Sequence, residues 1–461
     1  MNQDILRPYQ QNAVKLIFNS WRGQKKKPLL CLPTGAGKTH VATYIVNRFV
    51  EQGRKVLFIT HRRELVEQAT GRFRAHGIDA GQILPGCTPN RKQLAVVASV
   101  QSLIRRETPD CDLMIVDECH HALSKSFLQV LDKHLEGNGR ILGLTATPYR
   151  LDGRPLGLVF DDLLIPVTVS DLIDRGHLVQ PRYFGAKREG LEDIKKIAGE
   201  YSSSQMFQKF NKPALYANAV KQYREFCGGK ALVFCVNVEH SIATAAAFEA
   251  DGIRAMHIDG TTPLQARKRI LNMFRAGSVR VLCNCNLFTE GFDLPDIEGV
   301  ILNRMTASKC LYTQMVGRVL RPSDGKEHGV IVDMGNNVLL HGFVEDLHEY
   351  SLEGKKKQGD GVAPVKTCPA CQSIIHASAK VCPKCGKVFE VAEKEEIEAP
   401  FAEIKRIPVP EHLRKRFFDM TQRELWEYAE LKNYKPGWVR VQTMLQQGKR
   451  RNRIGVGASI V

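Results

Sequence analysis

The chain has 461 residues, of which 43% are hydrophobic and 25% charged, with a formal net charge of +17. That length suits about three domains with cores of their own, and the hydrophobic share excludes a disordered chain. A membrane span is excluded by the lack of any run of about 20 apolar residues, and the basic excess points to a polyanionic partner.

Arg7-Pro8-Tyr9-Gln10 comes before the first strong signal. The apolar run Leu29 to Leu32 leads into Pro33-Thr34-Gly35-Ala36-Gly37-Lys38-Thr39, and a helix-like stretch follows from His40 to Val50. Strand, glycine turn and helix form the setting of a phosphate-binding loop. Backbone N–H groups of the turn and the helix N-terminus face the β- and γ-phosphates. Lys38 supplies a cation, and the Thr39 hydroxyl suits Mg2+. Leu32 stands where the full pattern has its first glycine.

Strand-like runs then recur at 56–60, 94–98, 113–116 and 141–144, and again at 230–235, 254–258, 279–283, 300–302 and 330–332. Helical stretches separate most of them, the pattern of two parallel α/β domains with right-handed crossovers. The first domain is expected over residues 1–165 and the second over 226–345. Residues 166–225 read as a mostly helical or irregular bridge. The third run ends in Asp117-Glu118-Cys119-His120. Two carboxylates at the C-terminal edge of a sheet stand where α/β folds bind ligands. Asp117 suits a magnesium ion, and Glu118 suits orientation and deprotonation of an attacking water, since phosphoryl transfer needs positioning and charge neutralisation above all.

Farther on, Thr289-Glu290-Gly291-Phe292-Asp293-Leu294-Pro295 precedes Gln314-Met315-Val316-Gly317-Arg318-Val319-Leu320-Arg321. On a helix, Gln314, Arg318 and Arg321 fall at spacings of four and three and share one face. Arginines brought in from a second domain stabilise charge on a γ-phosphate. Residues 346–366, with Lys355-Lys356-Lys357 and several glycines, read as a mobile linker.

Cys368-x-x-Cys371 and Cys382-x-x-Cys385 follow, two knuckles that give four thiolates for a structural zinc ion in a module over 367–392. Disulfides are the rival, but no secretory apolar segment opens the chain, and a reducing interior is expected. The other nine cysteines read as core filling. Residues 393–461 form a basic, mainly helical tail. Positions 401–461 hold 13 Lys/Arg against 6 Asp/Glu, with clusters at 414–416 and 449–453. Within it, Thr421 reads as the N-cap of a helix reaching Lys432, a Pro-Gly pair stops that helix, and Trp438 reads as the core of a mini-domain.

In this order the motifs resemble those of a superfamily-two helicase. Thr60-His61-Arg62, Ser99-Val100-Gln101, Thr145-Ala146-Thr147-Pro148 and Leu232-Val233-Phe234-Cys235 complete the set, which covers roughly residues 5–335. The Thr145 to Gly153 stretch is closest to the branch of XPB, type I and III restriction motors and RadD-like helicases, and Cys119 replaces the alanine of DEAD-box RNA helicases. The resemblance implies two tandem RecA-like domains, ATP with Mg2+, and a DNA-dependent ATPase with Lys38, Asp117, Glu118, Gln314, Arg318 and Arg321 in the catalytic site. It implies that Arg7 and Gln10 serve the adenine and that Gly291 and Asp293 serve the nucleotide and the cleft. Thr60, Arg62, Ser99, Gln101 and Thr289 would meet the nucleic-acid backbone, while His120, Thr145 and Thr147 would couple hydrolysis to movement. Thr60 and Ser99 have helix N-capping as an ordinary alternative. The motor, four-cysteine module and Tyr-Lys-Pro-Gly-Trp tail resemble RadD-like bacterial and phage repair helicases. The implied setting is the cytoplasm of a bacterial or phage-infected cell, with a repair or replication protein as a possible partner of the zinc module or tail. A duplex translocase serving a partner nuclease, an RNA helicase and a zinc-containing adaptor without motor activity are the alternatives.

Overall fold

In a computed structural model the described residues are 6–353 apart from 91, 107, 137–138, 187, 189, 192, 198, 289–293 and 347–349, and then 365–367, 370, 374–376, 385–388, 402–404, 409–415, 417–432, 434 and 437–454. The first lobe is built on seven strands: β1 (Pro28–Cys31), β2 (Val56–Thr60), β3 (Ala80–Ile83), β4 (Ala95–Ser99), β5 (Leu113–Asp117), β6 (Arg140–Thr145) and β7 (Asp162–Leu164). They lie in the order β3-β4-β2-β5-β6-β1-β7, every pair parallel. Strands covered on both faces carry unbroken apolar runs, and β1 and β2 are buried at every position. Gly143 in β6 answers a packing need: a Cβ there would lie 2.6 Å from the Phe160 ring and 2.9 Å from Cys119 Sγ.

The second lobe takes β8 (Gln180–Gly185) at one side of its sheet. Beside the small hairpin of β9 (Lys196–Ile197) and β10 (Glu200–Tyr201), it adds β11 (Ala231–Cys235), β12 (Ala255–Ile258), β13 (Val281–Asn284), β14 (Gly299–Asn303) and β15 (His328–Asp333). Its order is β12-β13-β11-β14-β15-β8-β18, where the antiparallel edge β18 (Ala402–Glu403) comes from far down the chain. Both lobes are thus RecA-like, as the alternation of strands and helices implies. The bridge, read as mostly helical or irregular, also contributes a strand to this sheet, β8. Pro181 and Arg182 disguise that strand, which is tolerated at the sheet's flank, where only two residues of β18 cover its far side. Leu172, Ile173 and Leu178 of the bridge join an apolar cluster that runs from the first lobe into the second.

The stretch after the second lobe is not wholly a free linker. Tyr350 is half-buried with its ring tilted against that of Tyr149 at 5.3 Å, and Leu352 accepts a 2.8 Å hydrogen bond from Gly157 N. Both Tyr350 and Leu352 pack on the core of the first lobe, so residues 350–353 strap back across it. Composition alone, rich in glycine and lysine downstream, masked this apolar anchor. Beyond it, β16 (Val365–Thr367) and β17 (Ile374–His376) form an antiparallel pair.

The tail has its own small core of Val409, Leu413, Phe417, Met420, Leu425, Tyr428, Ala429 and Val439. Its helix Gln422–Leu431 is capped by Thr421, whose hydroxyl accepts from Glu424 N while Glu424 reaches back to Thr421 N. Gly437 opens the next helix, Gly437–Ile454. Trp438 is half-buried and packs on this core, against Phe417 at 5.0 Å and Tyr428 at 5.9 Å. Arg414 to Asp174 and Lys432 to Asp346 tie the tail to the motor at 2.5 and 2.7 Å. Thr421→Ala removes the reciprocal cap and should cost the tail about 1 kcal/mol. Urea denaturation followed by tail tryptophan fluorescence should show the loss while ATP turnover stays unchanged.

Candidate nucleotide site at the cleft

Register brings the motifs of the first lobe to one sheet edge. Cys31 of β1 pairs with Thr145 of β6, and Asp117 of β5 pairs with Leu144, so the phosphate loop, the threonine motif and the acidic pair leave adjacent strands side by side. Gly35 and Gly37 have φ of 87° and 78°, values that L side chains rarely adopt, and Gly37 caps the helix Lys38–Val50. Pro33, Thr34 and Ala36 are buried, while Gly35, Gly37, Lys38 and Thr39 remain partly open. This cradle, with its left-handed glycines and helix N-terminus, fits a polyphosphate. Lys38 Nζ lies over the loop, 3.3 Å from Leu32 O.

The N-terminal helix Pro8–Arg22 braces that loop. Tyr9 OH and Gln10 Nε2 both donate to Ala36 O, at 3.1 and 3.0 Å, and Gln10 Oε1 accepts from Arg7 N at 3.0 Å. Gln10 is therefore buried, with its amide engaged at both ends, while Arg7 is exposed. A Cβ on Gly37 would meet Gln10 Nε2 at 2.5 Å. Tyr9 carried no role of its own in the sequence, because a tyrosine on an amphipathic helix looks like core.

Asp117 ends β5 half-buried. Glu118 stands at φ 48°, ψ 51°, a left-handed conformation that costs a non-glycine residue energy and gathers at functional sites. His120, buried, reaches three groups: Glu118 Oε2 at 3.4 Å, Thr145 Oγ1 at 3.3 Å, and Cys310 Sγ of the second lobe at 3.8 Å. Thr145 Oγ1 donates to Thr147 O and accepts from Thr147 N. His120 O is held by Arg150, whose guanidinium also grips Asp152 together with Arg154. The Arg150 hydrogen bonds hold the Asp152 carboxyl well below the usual carboxylate range.

Across the cleft, the helix of the last motif is Lys309–Val316 and stops at Gly317. Gln314 is on it, buried, but Arg318 lies in the turn that follows and Arg321 in irregular chain beyond, so the three do not share a helical face. Two features shape this segment. Pro322 disfavours helix at Arg321, the residue before it, and Gly317 packs against the phosphate loop, where a Cβ would stand 2.6 Å from Thr34 Cβ. The turn still directs the arginines to the cleft. Arg318 is buried, and the Arg321 stem is next to Gly35, where a Cβ would be 3.5 Å from Arg321 Cγ. Lys326 Nζ donates to Arg321 O at 2.8 Å and to Pro295 O at 3.2 Å, and burial pushes its pKa down to about 8. Val179 N donates to Leu320 O at 2.9 Å, which ties the bridge to the same segment.

Of the residues expected at nucleic acid, Thr60 is fully buried at the end of β2, and Ser99 N-caps the short helix after β4. Gln101 is exposed, and Arg62 is half-buried with its guanidinium 3.5 Å from Asn286 O and Leu287 O of the second lobe. Thr289, Gly291 and Asp293 lie outside the described residues, as do Cys368, Cys371 and Cys382. Cys385 is described and exposed, and no metal-holding group of His, Cys, Asp or Glu occurs among the described residues.

Residues 3–150 match the family model "Type III restriction enzyme, res subunit", and residues 215–323 match "Helicase conserved C-terminal domain". A 51.5 kDa Lactococcus phage protein is 31% identical over 86% of this chain and 87% of its own. The chain belongs to the superfamily-two helicases, in the branch of XPB and restriction motors. It is similar to the ATP-dependent helicase IRC3 of Saccharomyces cerevisiae, 32% identical over 71% of this chain and 51% of that one. It is also similar to the DNA 3'-5' translocase XPB2 of Sulfurisphaera tokodaii, 27% identical over 69% and 79%. In fold it resembles a fragment assigned as the HsdR subunit of a Vibrio vulnificus type I restriction enzyme, with a TM-score of 0.54 and 23% identity over 74% of this chain and 67% of that one. Members of this superfamily are nucleic-acid-dependent ATPases, and no helix among the described residues is long and apolar enough to cross a membrane.

Gly317→Ala should separate packing from chemistry. A methyl group against Thr34 forces the lobes apart, and a displacement near 1 Å at a reacting centre lowers turnover by roughly 100-fold. Steady-state ATP hydrolysis should show that loss while thermal melting stays close to wild type.

Proposed function

We propose that the chain is an ATP-driven motor that moves along or unwinds DNA, serving repair, recombination or replication inside a bacterial or phage-infected cell. The observation that carries this reading is the approach of Arg321 and Gly317 to Gly35 and Thr34 across the cleft, which would join the two halves of an ATPase site from separate lobes. The β- and γ-phosphates would lie on the N-terminus of helix 38–50 under Lys38, with Gln10 and Arg7 toward the base. Thr39 and Asp117 would hold Mg2+, which supplies charge neutralisation. Glu118 would orient the attacking water, and Gln314, Arg318 and Arg321 would meet the γ-phosphate as the cleft closes, a contribution on the order of 10³–10⁵ in rate. Gly291 and Asp293 are proposed for the nucleotide from the motif alone. His120, with Thr145 and Thr147, would report cleft closure to Glu118.

For nucleic acid, Arg62 and Gln101 are the better candidates, since Thr60 is buried and Ser99 is occupied as a cap; Thr289 is proposed from sequence. The basic run 449–453 adds phosphate neutralisation, so affinity should fall steeply with salt. A duplex translocase serving a partner nuclease is the second reading, favoured by the restriction-type family match over residues 3–150.

Zinc in a four-cysteine module is proposed from the paired C-x-x-C spacing. Two features support it: in sequence the first knuckle falls between β16 and β17, which pair antiparallel, and Gly386 at φ 73° directly follows Cys385. Metal analysis of the purified chain should give one zinc per chain, lost in Cys371→Ser with ATP hydrolysis retained.

ATP hydrolysis should be stimulated by single-stranded, duplex or forked DNA above any stimulation by RNA at one fixed salt concentration. Lys38→Ala and Arg318→Ala should abolish it, with DNA affinity changed by no more than roughly threefold, because their partners are phosphates of ATP. Normal turnover in either variant, or equal stimulation by RNA, would overturn this reading.

A further inference from the structure

We infer that Arg304 is a positioning residue that fixes the second-lobe loop 286–288 where Arg62 of the first lobe grips it, and so links bound nucleic acid to ATP turnover while touching neither ligand. Arg304 directly follows β14 and is only 5% exposed. Its Nη1 donates to Asn286 Oδ1 at 2.7 Å and its Nε to Met305 O at 3.4 Å. The backbone at this point is clamped: Asn337 Nδ2 donates to Arg304 O at 2.8 Å, and a Cβ on Gly335 would lie 2.3 Å from that same oxygen. Burial pushes the guanidinium pKa below its ordinary value, and Glu200 is the acid whose field opposes that shift. The Glu200 carboxylate is itself engaged by Thr306 Oγ1 at 2.6 Å and Ala307 N at 2.7 Å. A buried guanidinium kept at this expense in desolvation is better explained by the geometry it enforces than by net stability.

What it enforces is the backbone of Asn286, which stands at φ 55°. Asparagine tolerates the left-handed region better than most residues, and the bond from Arg304 holds its side chain on the lobe-two side. The carbonyls of Asn286 and Leu287 are then the acceptors for Arg62 Nη1 and Nη2, all at 3.5 Å. These are long bonds, suited to a contact that is made and broken. Two residues on, Glu64 pairs with Arg267 of the second lobe at 2.6 Å, so the same first-lobe segment meets the second lobe twice. Arg62 is also the arginine proposed for the nucleic-acid backbone. A phosphate oxygen and these carbonyls are alternative acceptors for one guanidinium, so bound DNA would draw Arg62 away from a loop that runs directly into residues 289–295. The inference rests on the DNA-motor reading.

The test is ATP hydrolysis by full-length wild type, Asn286→Gly and Arg304→Lys, titrated with a single-stranded DNA oligonucleotide and without DNA, alongside thermal melting. Glycine accepts φ 55° but removes the acceptor for Arg304. In Asn286→Gly the DNA-saturated kcat should fall about tenfold, with the DNA-free rate and the KM for ATP within about twofold, as expected for lost coupling between sites. Arg304→Lys, which keeps a shorter cation, should fall between that variant and wild type. Equal DNA stimulation of Asn286→Gly and wild type would overturn the inference alone, as would a loss of DNA-free and DNA-saturated rates in step with a lower melting temperature. A wild type that DNA does not stimulate would overturn the motor reading and the inference together.

Discussion

Close approach of two glycine-bearing segments across the cleft is the constraint on which the rest of the site depends. Gly317 leaves room for Thr34, and Gly35 leaves room for Leu178 and the stem of Arg321. With side chains at either glycine the lobes could not come this near, and the arginines of one would stand too far from the phosphate loop of the other. Phosphoryl transfer asks for charge placed in advance more than for covalent groups. A site split between two rigid sheets would meet that demand only with the sheets pressed together, so the proposed turnover would depend on the angle between lobes.

Several contacts in the chain span the elements that set that angle. His120 touches the catalytic-motif glutamate, the threonine at the end of β6 and a thiol on the opposite lobe. Val179 ties the bridge to the arginine segment, and the strap at Tyr350 returns from the second lobe to the first. Each joins elements that must shift if the cleft opens. Because packed interfaces favour discrete arrangements over continuous deformation, such contacts would exchange between states rather than stretch. The tail is attached by ion pairs on both the bridge and the end of the second lobe, so it is carried along with that movement.

Much of the fold was legible in sequence because parallel strands buried on both faces announce themselves as apolar runs. Val56–Thr60 is found at its expected bounds, and the other central strands shift by a residue or two. In the two large sheets the strands that escaped are β3, β7, β8 and β18, short or polar elements toward the flanks, where one face or one edge is open and the apolar signal thins. The phosphate loop and the Asp117-Glu118 pair were legible as motifs, since their chemistry is local. The helical face drawn through Gln314, Arg318 and Arg321 was not correct, because spacing carries no information about Gly317 meeting Thr34 from the other lobe. Tyr9, Arg150, Cys310 and Arg304 carried no role of their own in the sequence for the same reason: each acts through a partner brought beside it only by folding.

The most direct measurement is the distance between lobes during turnover. Fluorescent donor and acceptor groups introduced through non-natural amino acids at the exposed positions Gln52 and Lys268 would report it in single molecules. A motor working through this cleft would alternate between at least two transfer efficiencies when ATP and DNA are both present, and dwell in one of them when Lys38→Ala blocks hydrolysis. A single unchanging efficiency during active ATP hydrolysis would contradict the dependence of catalysis on lobe closure.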